Sequence, residues 1–422
     1  MPAWKRNITV FFAGQTSSMI GQMLVGFAVM WHLTLRTQSG TVVTWFIVAS
    51  ALPQALISPF GGALADRFNR KYLVMAANGG VAVLTAILAV IMAAGVDRIW
   101  FILLIMGVRS ALAGIGVPAA SALIPTLVPE GQLLRINSLN ESIASAAMML
   151  SPLFTAGLYV SIGLLPVFWF DVGMGAASVA ILAFLPGVRS DDDAAAASDA
   201  PRTRPLKEIV AGLRYVRRNP TVRWLVIIYA FAMAFVAAPA FLTPLMVVRA
   251  FGDEMWRLTA NELAWAGGGL VISLILAAVG ARLKRHLLAI VAALALTGLL
   301  SLVLGLATNP WVFYALVFAV AAAFTAINVP EFTMLQQRVA PEMLGRVFGF
   351  VGLVASTVMP LAMVALGPLA DRVSVQVILQ ISGASLMIFV AGLLACPQLR
   401  RLMADKGDAD HVSEAIEVSA TA

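Results

Sequence analysis

The sequence predicts an all-α integral membrane protein with twelve transmembrane helices in two six-helix bundles. Of its 422 residues, 61% are hydrophobic and 12% are charged, whereas soluble domains have roughly 45–50% apolar and 25% charged residues. Long apolar runs occur throughout the chain. They are unbroken, whereas the strands of a membrane β-barrel alternate apolar and polar residues. A polar stretch at residues 188–206 leaves six apolar runs on either side. These three observations define the fold class.

Each apolar run is long enough for a helix that crosses the bilayer, which takes about 20 residues. The expected spans are 8–33, 41–64, 72–95, 99–121, 138–162, 166–187, 222–248, 260–281, 287–307, 311–332, 347–368 and 375–396. The first run follows Lys5 and Arg6 and is too long for the apolar part of a cleavable signal, so it is expected to remain as the first span.

The linker between the two sets of spans contains three consecutive aspartates, an alanine run and two prolines. After it, Ile209, Leu213 and Val216 share one helical face opposite basic residues, which predicts an amphipathic helix on the inner membrane surface. The expected organisation is an N-terminal bundle at 1–187, a cytoplasmic linker with the amphipathic helix at 188–220, a C-terminal bundle at 221–396 and a cytoplasmic tail, expected to be disordered, at 397–422.

The distribution of basic residues predicts the orientation in the membrane. With the N-terminus inside, 22 of the 28 Lys and Arg residues fall in cytoplasmic segments and five on the opposite side. Cytoplasmic loops of membrane proteins collect Lys and Arg, so both termini are expected to be cytoplasmic. The same rule explains the net charge of +7 without a nucleic-acid partner.

The two halves contain a repeated pattern. Val117-Pro118 precedes Pro129-Glu130, and Val329-Pro330 precedes Pro341-Glu342 at the same spacing, with an offset of 212 residues between the copies. Each copy ends the fourth span of its half. The pattern predicts a duplicated six-helix unit whose copies are parallel in topology.

A short basic hairpin joins the second and third spans. The small residues before it, Gly61 and Gly62 among them, favour close approach of helices. In this hairpin, Gly62, Leu64, Ala65, Asp66, Arg67, Arg70 and Lys71 have the spacing of a known signature, and the hairpin resembles that of the major facilitator superfamily, with Asn69 where that family usually has glycine. The resemblance implies that Asp66 meets the N-terminus of the eleventh span, near Gly345–Phe348, when the transporter faces outward. It assigns a conformational gate to Gly62, Asp66, Arg67, Arg70 and Lys71.

A narrower resemblance covers residues 117–138 and 212–220, which are similar to the branch that contains macrolide-efflux proteins and enterobactin exporters. It implies a secondary active transporter that exports bulky hydrophobic compounds, such as macrolide-like drugs or siderophore-like metabolites, in exchange for protons. Ser151-Pro152 stands where drug antiporters often carry Gly-Pro in the fifth span.

Ionisable groups inside the bilayer are costly, so each is a candidate functional residue. Arg109 lies about 15 Å into the fourth span and matches the arginine of the family's fourth-span signature, followed by Gly114 and Gly116. It is expected to face either a cavity or a carboxylate in a fixed ion pair. Asp171 lies near the outer end of the sixth span, where it carries a coupling proton, meets a cationic substrate or caps a helix at the interface.

Four further polar residues are candidates for the cavity or for coupling. They are Gln15 and Gln22 on one face of the first span, and Glu141 and Glu331 near the cytoplasmic ends of the fifth and tenth spans. Interhelical hydrogen bonding is the alternative for the glutamines, and helix-end structure is the alternative for the glutamates.

The sequence also limits the function classes. It contains no Gly-x-x-x-x-Gly-Lys-Ser/Thr nucleotide loop, and its three histidines and single cysteine form no metal-ligand pattern. The expectation is therefore a monomeric, cofactor-free transporter of the cytoplasmic membrane, and not an enzyme, with a small-molecule substrate and protons as the coupling ion. An uptake permease remains an alternative, and a non-transporting membrane sensor is a second one.

Overall fold

The structure is a computed structural model that describes residues 3–65, 67–185, 205–279 and 286–397. In these ranges the chain forms fourteen α-helices and two short 3-10 turns, and they contain no strand. Several expectations lie outside the described residues, namely those for Asp66, the linker at 188–204 and the tail at 398–422.

The helices follow the expected order. In the first half they are α1 (Ala3–Thr37), α2 (Gly40–Ala65), α3 (Arg70–Ala93), α4 (Ile99–Leu127), α5 (Leu133–Ile162), α6 (Leu164–Ala183) and α7 (Pro205–Arg218). In the second half they are α8 (Pro220–Phe241), α9 (Thr243–Ala250), α10 (Met255–Val279), α11 (His286–Leu304), α12 (Pro310–Arg338), α13 (Leu344–Ala370) and α14 (Val375–Ala395). With α8 and α9 counted as one, twelve described helices are long and apolar enough to cross a membrane, which confirms the twelve spans.

The fourth and tenth spans are longer than expected. Helix α4 ends at Leu127 and α12 at Arg338, so each passes its expected end by six residues. Pro118 and Pro330 lie inside these helices. A proline removes one backbone donor from a helix, but neighbouring helices can satisfy the freed carbonyl in a membrane protein. The prolines therefore do not end these two helices.

The seventh span, expected as one helix, is broken at Leu242 between α8 and α9. Pro239 has no N–H to donate to the Phe235 carbonyl four residues earlier. The hydroxyl of Ser382 on α14 donates to that carbonyl instead, and the Thr243 hydroxyl donates to the Pro239 carbonyl at 3.0 Å. Side chains thus replace backbone hydrogen bonds at the break.

The sequence repeat corresponds to a structural repeat. Helices α4 and α12 have 29 residues each. Each is followed by a three-residue 3-10 turn, at Glu130–Gln132 and Pro341–Met343, and then by a long helix, α5 or α13. The two copies therefore have the same local order of elements.

Contacts among the described residues divide the chain into two compact units. The first contains α1–α6 and the short segments 253–259 and 363–368, and most of the chain after residue 210 forms the second. In the first unit, α1 packs against α5 and α6, while α4 packs against α2 and α3. In the second unit, α8 and α11 each pack against α12 and α14.

Apolar side chains fill the core of each unit and also cover its outer surface. Leu123 in the first unit and Ile290 in the second are almost completely buried. Trp100, Phe184 and Ile388 are 72%, 82% and 73% exposed, respectively. Large apolar surfaces of this kind are unfavourable in water and suit a lipid environment.

The amphipathic segment forms α7, and part of its expected apolar face is buried against protein. Val216 belongs to the core of the second unit, whereas Leu213 is 38% exposed. A Cβ atom on Gly212 would overlap the backbone carbonyl of Arg346, and the Tyr215 hydroxyl accepts a hydrogen bond from the Ala340 N–H at 3.2 Å. Because Gly212 lets the backbones approach, α7 packs on protein along the face that contains it.

The cytoplasmic location of both termini remains a prediction, and cysteine labelling tests it. Cys396→Ala removes the single cysteine, and Val96→Cys and Gly131→Cys then place one thiol after α3 or after α4. Val96 is exposed, and Gly131 has open space around its Cβ position. A membrane-impermeant maleimide should label Val96→Cys in intact cells and Gly131→Cys only after permeabilisation. The reverse pattern would contradict the predicted orientation.

Candidate functional site

A recess of about 300 Å³ lies between α1, α2 and α4 in the first unit. Most of its wall is apolar and consists of Met23, Gly26, Phe27, Met30, Phe46, Met106 and Ala113. The polar part of the wall consists of Gln22, Ser50, Gln54, Arg109 and Ser110. Among these described lining residues, Arg109 is the one with a charged side chain.

Helical periodicity brings these side chains to one wall. Residues three, four or seven apart lie on the same face of an α-helix. On α2 the lining residues Phe46, Ser50 and Gln54 are spaced by four, and on α4 Met106 and Ala113 are spaced by seven. The apolar faces that form the recess are therefore set by local sequence, while the enclosed volume depends on how three helices pack.

Arg109 forms a buried ion pair beside the recess. Its Nη1 lies 3.0 Å from Oδ2 of Asp171 on α6. Thr85 on α3 completes the cluster, because its hydroxyl donates to Asp171 Oδ2 at 2.6 Å and contacts Arg109 Nη1. Arg109, Asp171 and Thr85 are 4%, 2% and 0% exposed, respectively. The cluster joins α3, α4 and α6.

The close packing of α1 holds Asp171 in place. A Cβ atom on Gly21 would overlap Asp171 Oδ1, so the absence of a side chain at this position allows α1 to pack against the carboxylate. Asp171 thus has an arginine on one oxygen and a helix backbone against the other. Both interpretations of Arg109 are compatible with this geometry, since it lines the recess and is also held in an interhelical ion pair.

Ser110 makes a contact that the sequence analysis did not anticipate. Its hydroxyl donates to the Ser50 carbonyl at 2.7 Å and accepts from the Gln54 N–H at 3.2 Å. In a regular helix that N–H and that carbonyl bond to each other. The Ser110 hydroxyl therefore connects the Gln54 N–H and the Ser50 carbonyl of α2 in place of their direct hydrogen bond. The interruption lies next to Pro53, which itself lacks a backbone donor. The sequence feature that could have indicated this contact is Pro53, a proline inside an apolar span.

The two glutamines of the first span have different surroundings. Gln22 lines the recess and donates to Ser18 Oγ at 2.8 Å. Gln15 accepts from Asn78 Nδ2 at 3.4 Å, and Asn78 also donates to Ser178 Oγ at 3.0 Å. Gln22 is thus placed at the recess, whereas Gln15 belongs to a hydrogen-bonded network between α1, α3 and α6.

The basic residues of the hairpin interact with helix ends in the first unit. Arg70 donates to the carbonyls of Ala65 and Ala122, each at 3.2 Å. Lys71 is 6% exposed, and its Nζ donates to the carbonyls of Ala183 and Leu185 at 2.9 and 2.5 Å. Carbonyls at helix C-termini have no partner within the helix, and basic side chains satisfy them. Arg70 and Lys71 therefore fasten the ends of helices.

The remaining hairpin residues occupy varied surroundings. A Cβ atom on Gly61 would overlap the Gly114 carbonyl, so the close approach of α2 and α4 occurs at Gly61. Gly62 has open space at the same position, and Arg67 is exposed. Asn69 begins α3, and its side chain accepts from the Lys71 N–H at 3.0 Å. This capping bond explains how asparagine fits where the family usually has glycine.

The two candidate glutamates differ completely in exposure. Glu141 on α5 is exposed. Glu331 on α12 is 0% exposed, and neither carboxyl oxygen has a hydrogen-bond partner. Buried polar groups are normally hydrogen-bonded. Other described side chains, such as those of Trp31 and Trp224, also have a buried polar atom without a partner, but Glu331 is the described carboxyl group for which both oxygens are in that position.

We predict that Ser110→Ala destabilises the protein by about 1–3 kcal/mol, because it leaves buried backbone groups of α2 without the bridging hydroxyl. Ser121→Ala is the matched control, since Ser121 lies on the same helix, is exposed and bonds to the Val117 carbonyl of its own turn. Thermal unfolding of the purified proteins in detergent measures the difference. Equal midpoints for the two variants would show that the bridge does not stabilise the fold.

The chain is similar to bacterial efflux proteins along nearly its whole length. It is 28% identical over 405 residues to Macrolide efflux protein A of Streptococcus pyogenes, with 94% of this chain and 97% of that protein covered. It is 26% identical over 366 residues to Multidrug resistance protein MdtG of Enterobacter lignolyticus, with 82% and 81% covered. Multi-pass proteins of this kind lie in the cytoplasmic membrane of bacteria.

Solved structures of transporters have the same fold. The nucleoside transporter NupG, as a mutant, superposes with a TM-score of 0.70 at 11% identity, covering 92% of this chain and 99% of that one. A bacterial homologue of the iron transporter ferroportin gives a TM-score of 0.68 at 15% identity, covering 92% and 98%. At these identities the likeness shows the fold alone.

A family model matches most of the chain. The model of the Major Facilitator Superfamily matches residues 11–362, which include the basic hairpin, the recess and Glu331. The apolar spans, the structural repeat and the transporter relatives agree with this match. The chain therefore belongs to the Major Facilitator Superfamily, and it is a membrane transporter and not an enzyme.

Proposed function

We propose that this transporter exports bulky hydrophobic compounds in exchange for protons, by alternating access. The observation that carries the proposal is the composition of the recess between α1, α2 and α4. Its wall combines methionine and phenylalanine with a few amide and hydroxyl groups. Flexible methionines and aromatic rings adapt to apolar molecules of different shapes, and the polar groups can hydrogen-bond to scattered oxygens on a large substrate.

The ion pair leaves the wall of this recess without net charge. An unpaired arginine would favour anionic substrates, but Asp171 neutralises Arg109 at 3.0 Å. A neutral, largely apolar molecule can therefore bind without a compensating charge. The name of one relative, Macrolide efflux protein A, agrees with export of such compounds.

Protons are the coupling ion in this proposal. The sequence has no phosphate-binding nucleotide loop, so a gradient is the expected energy source. Carboxyl groups within membrane helices can bind and release protons, and Asp171 and Glu331 are both buried there.

The export proposal is tested by accumulation of a radiolabelled macrolide, erythromycin, in cells that do or do not produce the protein. Producing cells should accumulate less erythromycin, and an uncoupler that collapses the proton gradient should abolish the difference. Equal accumulation over a panel of hydrophobic drugs would contradict export. Uptake of small polar solutes into proteoliposomes would instead support the alternative of an uptake permease.

The neutral-recess argument predicts how variants of the ion pair behave. Asp171→Asn alone leaves Arg109 as an uncompensated buried charge and should destabilise the protein by about 3–5 kcal/mol. The double variant Arg109→Gln/Asp171→Asn removes both charges and should recover both thermal stability and macrolide export. A stable double variant without export would show that the charges themselves act on the substrate.

The hairpin is proposed as a conformational gate centred on Asp66. A carboxylate is favoured at a helix N-terminus by the partial positive charge of the backbone there. Asp66→Asn should therefore weaken the outward-facing state, shift the population towards the inward-facing state and lower the export rate. State-dependent labelling of introduced cysteines and export assays measure both effects, with Arg135→Gln, at an exposed residue of α5 outside the gate, as a comparison. Normal export by Asp66→Asn would contradict the gate.

A further inference from the structure

We infer that Glu331 on α12 is the group that carries the coupling proton, an inference that rests on the proposed proton-coupled export. Glu262 on α10 is partly exposed and has Asn261 as a hydrogen-bond partner. The two carboxyl groups of the described membrane helices that are almost completely buried are Asp171 in the first unit and Glu331 in the second. Their surroundings are opposite in character, and this difference decides between them.

The carboxyl group of Glu331 has no polar partner. It is 0% exposed, and both Oε1 and Oε2 are buried without a hydrogen bond. An ionised carboxylate in such a place is far more costly than a protonated one, because neither water nor a cation compensates its charge. In this conformation Glu331 is therefore protonated.

The described helices that contact α12 include α10 and α13 as well as α8 and α11. On α10 the titratable groups are Arg257 and Glu262, and on α13 the group is Arg346. On α11 the described titratable group is His286 at the first residue, and on α8 the groups are Arg223 and Tyr229. Tyr229 is the one that interacts electrostatically with Glu331. Its ring packs edge-on against Phe332, with centroids 5.8 Å apart. The site is thus enclosed by a phenol and apolar side chains of the second unit.

Asp171 lacks the freedom that a proton carrier needs. Arg109 and Thr85 contact its Oδ2, and the α1 backbone at Gly21 lies against its other oxygen. These contacts would have to break before the carboxyl group could change partners. Asp171 is held as a fixed partner of Arg109, whereas Glu331 has no such partner.

The internal repeat shows that the two units divide these roles. At the repeat offset of 212 residues, Glu331 corresponds to Ala119 and Arg109 corresponds to Ala321. Both alanines are buried, at 0% and 2% exposure. Each unit therefore has an ionisable group on its fourth helix where the other has alanine. The group in the first unit is a paired cation, and the group in the second is an unpaired acid.

The chemical step is a simple proton exchange. In the enclosed conformation the Glu331 O–H bond is intact and the group is neutral. When the second unit rearranges so that water reaches the group, the O–H bond breaks, the proton passes to water and the carboxylate is solvated. The return to the enclosed conformation requires protonation again, which links one proton to each cycle.

Infrared difference spectroscopy of the purified protein in lipid vesicles tests the protonated state without any substrate. The wild type at neutral pH should show the carbonyl band of a protonated carboxylic acid, and Glu331→Gln should lose it. Glu331→Asp should keep an acid band, and Glu342→Gln, at an exposed carboxylate in the turn before α13, should leave the band unchanged. An identical band in the wild type and Glu331→Gln would overturn the inference.

Transport in proteoliposomes tests the coupling, with radiolabelled erythromycin as the probe. Glu331→Gln should lose export driven by a pH gradient, down to the level of empty vesicles, but should retain exchange of erythromycin without a gradient. If Glu331→Gln exports erythromycin along a pH gradient as fast as the wild type does, the inference about Glu331 is wrong and the proposed function stands. Absence of gradient-driven export in the wild type would overturn the proposed function, and the infrared band would still decide whether Glu331 binds a proton.

Discussion

The constraint on which the structure depends is the lack of water inside a bilayer, so that polar groups must find partners within the protein. The ion pair between Arg109 and Asp171 satisfies this constraint for two charged groups and joins α4 to α6. Thr85 of α3 is hydrogen-bonded to the same carboxylate. At the backbone, the hydroxyls of Ser110 and Ser382 bond to carbonyls near prolines of other helices. Side chains thus connect helices at the points where helical hydrogen bonding is interrupted.

This satisfaction of polar groups also shapes the recess. Because Asp171 compensates Arg109, the wall presents hydrogen-bonding capacity without net charge. Methionine and phenylalanine form the rest, and both accept a variety of apolar surfaces. A transporter of hydrophobic compounds benefits from such a wall, because binding then depends on shape and burial more than on a fixed pattern of charges. A few buried polar atoms lack a hydrogen-bond partner, among them both carboxyl oxygens of Glu331, and this observation is the basis of its proposed role as a proton carrier.

The hairpin shows how a motif acquires more than one role. Its resemblance to the family signature indicates a gate, yet Arg70 and Lys71 bond to carbonyls at the ends of neighbouring helices. Lys71 is buried by these contacts and not exposed as a turn residue would be. The motif therefore supports the ends of neighbouring helices in the first unit whatever Asp66 does during transport. Asn69 contributes a capping bond that glycine could not supply.

The sequence by itself determined the twelve spans and the repeat, because hydrophobic runs of membrane length and an exact spacing are local properties of the chain. It also identified Arg109, Asp171 and Glu331, since charges in apolar runs are conspicuous. Only the tertiary structure decided that Arg109 pairs with Asp171, that Gln15 and Gln22 have different surroundings, and that α7 buries the face containing Gly212. Those outcomes depend on which helices are neighbours and how far each is rotated, and periodicity within one helix does not contain that information.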